Sequence, residues 1–128
     1  MIKQQLSVFV ENRQGRLGKI LSVLQENDVN ILSMSLADTT EYGLFRLIVD
    51  KPEIGKEKLA ENGFSSIVSE VLVISLPHEP GSLQKILQKI ADEKIDVEYL
   101  YGLDTDGEKA SVVVKTSDAK RAAAVLEG

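Results

Sequence analysis

An α+β fold built as two copies of one plan is what the sequence predicts, and two observations predict it. Short stretches of strict apolar–polar alternation are interleaved with stretches whose apolar residues recur at helical spacing. The same strand-to-helix passage also occurs twice, 66 residues apart: Gly15, Leu17, Lys19, Ile20 and Leu21 return as Gly81, Leu83, Lys85, Ile86 and Leu87.

The first copy opens on Leu6, Val8 and Val10, which alternate with Ser7, Phe9 and Glu11 as a strand with one buried face. After the turn Asn12-Arg13-Gln14-Gly15, the residues Leu17, Ile20, Leu21 and Leu24 form one apolar stripe on a helix running to about Glu26. Asn27-Asp28 suits its end, because Asn tolerates the left-handed conformation that closes a helix. A second strand over 30–37, a polar turn at Asp38-Thr39-Thr40-Glu41 and a third strand over 43–49 follow. Pro52 then enters a second helix, with Ile54, Leu59 and Ala60 as its apolar contacts, and Asn62-Gly63 closes it. A short strand over 64–69 runs without a linker into the alternating run 71–76 that opens the second copy.

The second copy repeats the order. Its turn is His78-Glu79-Pro80-Gly81, its first helix carries Leu83, Ile86, Leu87 and Ile90, and strands over 97–101 and 110–115 flank a turn at Asp104-Thr105-Asp106-Gly107. The last helix, about 118–126 with Ser117 as N-cap, ends the pattern. Each copy is therefore a split βαβ, ferredoxin-like plan, over 1–69 and 70–128, and the second lacks its final strand. That absence predicts an edge at 71–76 needing a neighbour, which a second copy in a homodimer or a longer chain would supply.

Composition narrows the function. The net charge is −5 and the 15 basic residues are scattered, which gives a phosphate backbone little to hold, so no nucleic-acid partner is expected. With no cysteine and one histidine, neither a thiolate nor a histidine metal site is expected, and nothing calls for a cofactor. No apolar run approaches a membrane span and no leader precedes the first strand, so the expectation is a cytoplasmic protein without membrane contact.

A strand, then Asn-Arg-Gln-Gly-Arg-Leu, a helix, and Asp-Val-Asn-Ile opening the next strand, repeated in this order, resembles the ACT domain, a small-molecule sensor module of amino-acid-regulated enzymes. The resemblance covers the whole chain as a tandem pair. It implies a regulatory, allosteric protein that is not an enzyme, binds a small amino acid at the strand-to-helix turns between paired repeats, and signals to a partner such as a regulated enzyme. In the serine-binding ACT domains, an Asn of the turn and an Asn opening the second strand contact the ligand; Asn12 and Asn30 match, whereas the second copy has His78 and Asp96. One site would then combine Asn12, Arg13, Gly15, Arg16 and Leu17 with Asp96, and the other His78, Gly81, Ser82 and Leu83 with Asn30. The physical basis stands without the name: a helix N-terminus offers unpaired N–H groups and partial positive charge to a carboxylate, and glycine lets the backbone approach it. Asn12 and Asn30 equally suit a cap and a strand start, and Tyr99 and Tyr101 suit packing on one strand face.

Two other readings remain beside this one. A protein-interaction module that binds no metabolite would account for the uncovered edge. An acylphosphatase-like enzyme would use an arginine of the first turn on a phosphate, but the turn is shorter, and the position where that arginine falls is not basic. No Ser-His-Asp or paired-carboxylate set is matched between the copies.

Overall fold

The computed structural model describes residues 1–11, 15–38, 42–106 and 108–127. Asn12, Arg13 and Gln14, the turn residues Thr39, Thr40 and Glu41, and Gly107 lie outside the described residues. In chain order the elements are β1 (Ile2–Glu11), α1 (Arg16–Glu26), β2 (Ile31–Asp38), β3 (Tyr42–Val49), α2 (Pro52–Glu61), β4 (Ser66–Pro77), α3 (Ser82–Asp92), β5 (Val97–Asp106), β6 (Lys109–Thr116) and α4 (Ala119–Glu127). None of the described helices is long and apolar enough to cross a membrane.

The chain forms two compact units, Gln4–Ser69 and Glu70–Gly128, the second joined by Met1–Lys3. In the first, the strands lie in the order β2-β3-β1-β4. Val8 lies opposite Phe45 and Leu6 opposite Leu47, so the alternation of β1 puts both rows on one face. That face carries Leu6, Val8, Val10, Phe45, Leu47 and Val49, and α1 and α2 close it with Ile20, Val23, Leu24 and Leu59. The second unit has the order β4-β6-β5 and the matching core: Leu72, Ile74 and Leu76 of β4, Val112 and Val114 of β6, Ile90 of α3, and Ala122 and Ala123 of α4.

Among the described residues no strand follows α4, yet the 71–76 edge is occupied. The Val73 N–H donates to the Met1 carbonyl at 2.7 Å, and Met1–Lys3 belongs to this unit. Phe9 N–H donates to Ser65 C=O at 3.1 Å at the matching edge of the first unit. β4 is one uninterrupted strand of 12 residues rather than two, so no linker interrupts the chain where the repeats meet. The uncovered edge expected there is absent, and with it the original reason for expecting a homodimer.

Three of the described helices end in one way; α2 closes at Asn62-Gly63 as expected, whereas the end of α1 differs from the expected cap. In α1 the left-handed residue is Asp28 (φ 57°), not Asn27, whose Nδ2 donates back to the Val23 carbonyl at 2.8 Å. Val29 N–H donates to Leu24 C=O and Asp28 N–H to Gln25 C=O, at 2.9 and 3.1 Å, which is the Schellman pattern. α2 ends identically through Gly63 and Phe64, and α3 through Lys94 and Ile95. The apolar residue after each left-handed one, Val29, Phe64 and Ile95, is buried against the core. The pattern asks for a hydrophobe there and tolerates Asp, Gly or Lys one position earlier.

Helix faces also differ from the expected stripes. Val23, not Leu21, joins Ile20 and Leu24 in facing the sheet, and Leu21 is exposed. In α2 the contacts are Gly55 and Leu59, one turn apart, while Ile54 and Ala60 are exposed. A Cβ on Gly55 would meet Leu6 Cδ1 at 3.3 Å, Leu24 Cδ2 at 3.6 Å and Val49 Cγ2 at 3.7 Å, so α2 crosses the sheet at glycine distance. Gly55→Val is expected to cost about 1–3 kcal/mol by overpacking. Urea unfolding of the variant checks it, and an unchanged midpoint would show that α2 can lift off without loss.

The repeats differ by one residue in their hairpins. Met34 lies opposite Leu47 as Leu100 lies opposite Val114, but Ala37 opposite Leu44 corresponds to Asp104 opposite Ser111, so the offset of β5 from β2 grows from 66 to 67. A register shift between Gly102 and Asp104 absorbs the extra residue, as a β-bulge does. Both strands also shift near their starts, at Ile31/Ser33 and Val97/Tyr99. The expected turn at Asp104-Thr105-Asp106 is instead paired strand, through Asp106 opposite Lys109. At α4 the N-cap is Asp118, whose Oδ1 accepts from Arg121 N–H at 3.1 Å, rather than Ser117.

Candidate functional site

The glycines that lead α1 and α3 share one geometry. Gly15 is the N-cap of α1 at φ 83°, ψ −8°, and Gly81 is the N-cap of α3 at φ 87°, ψ −11°. Both backbones are left-handed, which glycine adopts without a Cβ penalty. The first intrahelical bonds close from Lys19 N–H to Gly15 C=O at 3.0 Å and from Lys85 N–H to Gly81 C=O at 3.1 Å. A glycine N-cap has no side-chain oxygen, so neither helix has a side-chain cap. Neither has an acidic residue in its first turn, whereas α2 has Glu53 there. The positive ends of α1 and α3 are thus left without a carboxylate of their own, and the N–H groups of a helix's first turn have no intrahelical partner.

The side chains around these ends have been drawn partly inward. Leu17 packs against the first core and Leu83 against the second, so each contributes its backbone to the turn and its side chain to the fold. The Arg16 guanidinium lies 4.4 Å from the centroid of the Phe64 ring, a cation–π contact that holds it over the core. Its buried Nε makes no hydrogen bond among the described residues. On the other turn, His78 is exposed, its N–H donating to Glu108 C=O at 2.7 Å, and Ser82 N–H donates to Glu79 C=O at 3.2 Å.

Asn30 and Asp96 occupy matching brackets between two strands. Asn30 N–H donates to Asp50 Oδ1 at 2.8 Å, and Asp50 N–H returns to Asn30 C=O at 3.0 Å. In the second unit, Asp96 N–H donates to Ser117 Oγ at 3.1 Å, and Ser117 N–H returns to Asp96 C=O at 2.9 Å. Ser117, expected as a helix cap, serves here instead, and Asp50 is a residue that sequence reasoning missed. Its signal was available as an acceptor just after an alternating strand, matched at the same place in the second copy. Asn30 also lines an open cleft of about 530 Å³ with Leu21, Leu24, Gln25, Asp28, Val29 and Ile31, and Lys51 Nζ donates to the Asp28 carbonyl at 2.8 Å beside it.

Within each unit the turn and the bracket are held apart. Gly15 sits at the start of α1 and the Asn30 cleft at its end, and a helix of 11 residues separates them by about 16 Å. Neither Gly15 with Asn30 nor Gly81 with Asp96 forms one site inside a single unit. Asn12 and Arg13 lie outside the described residues.

Two ferredoxin-like βαββα units, each with an uncapped glycine-led helix after its first strand, define a tandem small α+β protein. The chain belongs to the ACT domain pair family, which it matches over residues 1–127. Among solved structures, a protein from Bacteroides thetaiotaomicron is 32% identical at a TM-score of 0.93, with 99% of this chain and 88% of that chain covered. The regulatory subunit of aspartate kinase from Thermus thermophilus, in its ligand-free form, is 18% identical at a TM-score of 0.69, covering 97% and 89% of the two chains. That from Thermus flavus is 17% identical at 0.65, covering 99% and 90%. At these identities the two subunits share the fold. A search of curated proteins finds no match.

Proposed function

We propose that this chain is a non-catalytic cytoplasmic regulatory protein that binds a small amino acid at the Gly15 and Gly81 turns and passes the signal to a partner enzyme by contact. One observation carries the reading: both repeats present a left-handed glycine N-cap with no side-chain cap and no acidic residue in the first turn. A ligand carboxylate fits such an end. Asn12, Arg13, Asn30, His78, Ser82 and Asp96 join the site by family resemblance, as does the regulated enzyme, and an effector acts only through its differential affinity for two states. Membership of the ACT domain pair family supports the sensor role.

The test is thermal unfolding against the twenty amino acids and their 2-oxo acids. A ligand that binds only the folded state adds about 2.7 kcal/mol at a hundredfold excess over its dissociation constant. Gly18→Glu and Gln84→Glu then place a carboxylate at the third position of α1 and α3, where the ligand's own carboxylate would sit. Gly18 is exposed, with open space where its Cβ would be, and glutamate is a better helix former, so the unliganded variant is expected to be at least as stable. Together the two substitutions are expected to remove the ligand shift. A full shift in the double variant would place the ligand elsewhere, and no shift with any compound at about millimolar concentration would favour a metabolite-free interaction module. Gly15→Val is a poorer probe, because φ 83° strains any β-branched residue whatever the ligand does.

A further inference from the structure

Asn62-Gly63 is the one Asn-Gly pair in the chain. Such a pair is chemically labile, because the glycine nitrogen can close a five-membered ring on the asparagine side-chain carbon, and glycine has no side chain to shield or stiffen the approach. Both residues are exposed, and a Cβ on Gly63 would stand in open space, so water reaches the pair freely. The fold nevertheless holds the reacting atoms apart. Asn62 closes α2 at φ −101° and ψ 15°, which turns the Gly63 nitrogen toward the Asn62 nitrogen and away from its Cβ. The Gly63 N–H donates to the Ala60 carbonyl at 3.1 Å, and Asn62 Nδ2 donates to the Lys58 carbonyl at 2.8 Å. The attacking nitrogen and the departing amide are thus both tied to the last turns of the helix.

We propose that Asn62-Gly63 is a site of spontaneous deamidation latched by the closure of α2: it reacts when that end of the helix opens, and its products do not restore the latch. The Gly63 nitrogen bonds to Asn62 Cγ, the Cγ–Nδ2 bond breaks, and the Gly63 proton leaves with Nδ2 as ammonia. Water then opens the cyclic imide at either carbonyl, leaving aspartate or its isomer with the main chain routed through Cγ. A carboxylate has no donor for the Lys58 carbonyl and sets negative charge at the negative end of a helix. The isomer also adds a methylene to the main chain just where left-handed Gly63 (φ 85°) delivers Phe64 to the core. The Arg16 guanidinium rests on that ring, so the change reaches the residue next to Gly15. α1 supplies an internal comparison. Asn27 makes the same bond, from Nδ2 to the Val23 carbonyl at 2.8 Å, but the residue after it is Asp28, whose side chain crowds the nitrogen. α3 closes on Glu93-Lys94 and has no amide to lose there.

Peptide mapping by mass spectrometry tests the site and the latch together, on the full chain held at mildly alkaline pH with and without denaturing urea. In urea, Asn62 is expected to deamidate first among the chain's four asparagines, Asn12, Asn27, Asn30 and Asn62. In the folded chain its rate is expected to be at least about tenfold slower, and to rise at urea concentrations below the global transition, as a local opening requires. Asn62→Asp fixes one product in place and is expected to raise the unfolding equilibrium constant about two- to fivefold, the effect of a misplaced charge at a helix end. Asn62→Gln, which keeps an amide but closes the five-membered ring no longer, is expected to abolish the reaction at this position. Another asparagine reacting first in urea would overturn the site. Equal rates in the folded and unfolded chain would overturn the latch, and an Asn62→Asp chain as stable as the wild type would overturn its dependence on the amide.

Discussion

Phe64→Ala is expected to lower the stability of the protein by about 3–5 kcal/mol, the range for removing a buried aromatic side chain. Phe64 is 2% exposed and belongs to the core of the first unit. Two further roles put the loss at the upper end. Phe64 is the apolar residue that follows left-handed Gly63 in the closure of α2, and its N–H donates to Leu59 C=O at 2.9 Å. Its ring also carries the Arg16 guanidinium, which would lose its apolar support next to the Gly15 turn. Urea unfolding gives the number, and a loss below about 1 kcal/mol would remove Phe64 from the core. Under the proposed binding of an amino acid at the Gly15 turn, its affinity is expected to fall in the same variant, because α1 begins at Arg16.

Leu24→Ala and Ile90→Ala are each expected to cost about 2–5 kcal/mol. The two residues are 66 apart, each is fully buried, and each supplies the carbonyl that accepts the long bond closing its helix, from Val29 and Ile95. Leu21→Ala, on the exposed side of α1, is expected to cost less than about 1 kcal/mol. Equal losses at Leu21 and Leu24 would mean that α1 packs by the stripe read from its sequence, and not by the face that buries Val23.

Much of this architecture is written in local pattern. Element order, the two glycine turns and the α+β class follow from alternation, helical spacing and the repeat, because strands and helices expose period-two and period-3.6 rows to one core. The Schellman closures were legible only in part. Asn27-Asp28 and Asn62-Gly63 mark helix ends, but which residue turns left-handed depends on which hydrophobe must reach the core next, and Lys94 carries no turn signal at all. The same limit applies to Ser117. A serine before a helix reads as a cap, and only the approach of Asp96 makes its hydroxyl an acceptor for another strand. The Asp50 bracket escaped for this reason, since its partner Asn30 is 20 residues away in sequence.

By itself, then, the sequence determined a doubled βαββα plan and its two glycine turns, properties of residues close together in the chain. Tertiary structure decided which residues complete each unit. Met1–Lys3 sits at the edge of the second unit, where a missing strand had been read, because an unpaired ladder recruits whichever backbone lies beside it. The Gly15 turn and the Asn30 cleft, by contrast, lie at opposite ends of α1 by secondary structure alone, since its 11 residues rise about 16 Å along the axis.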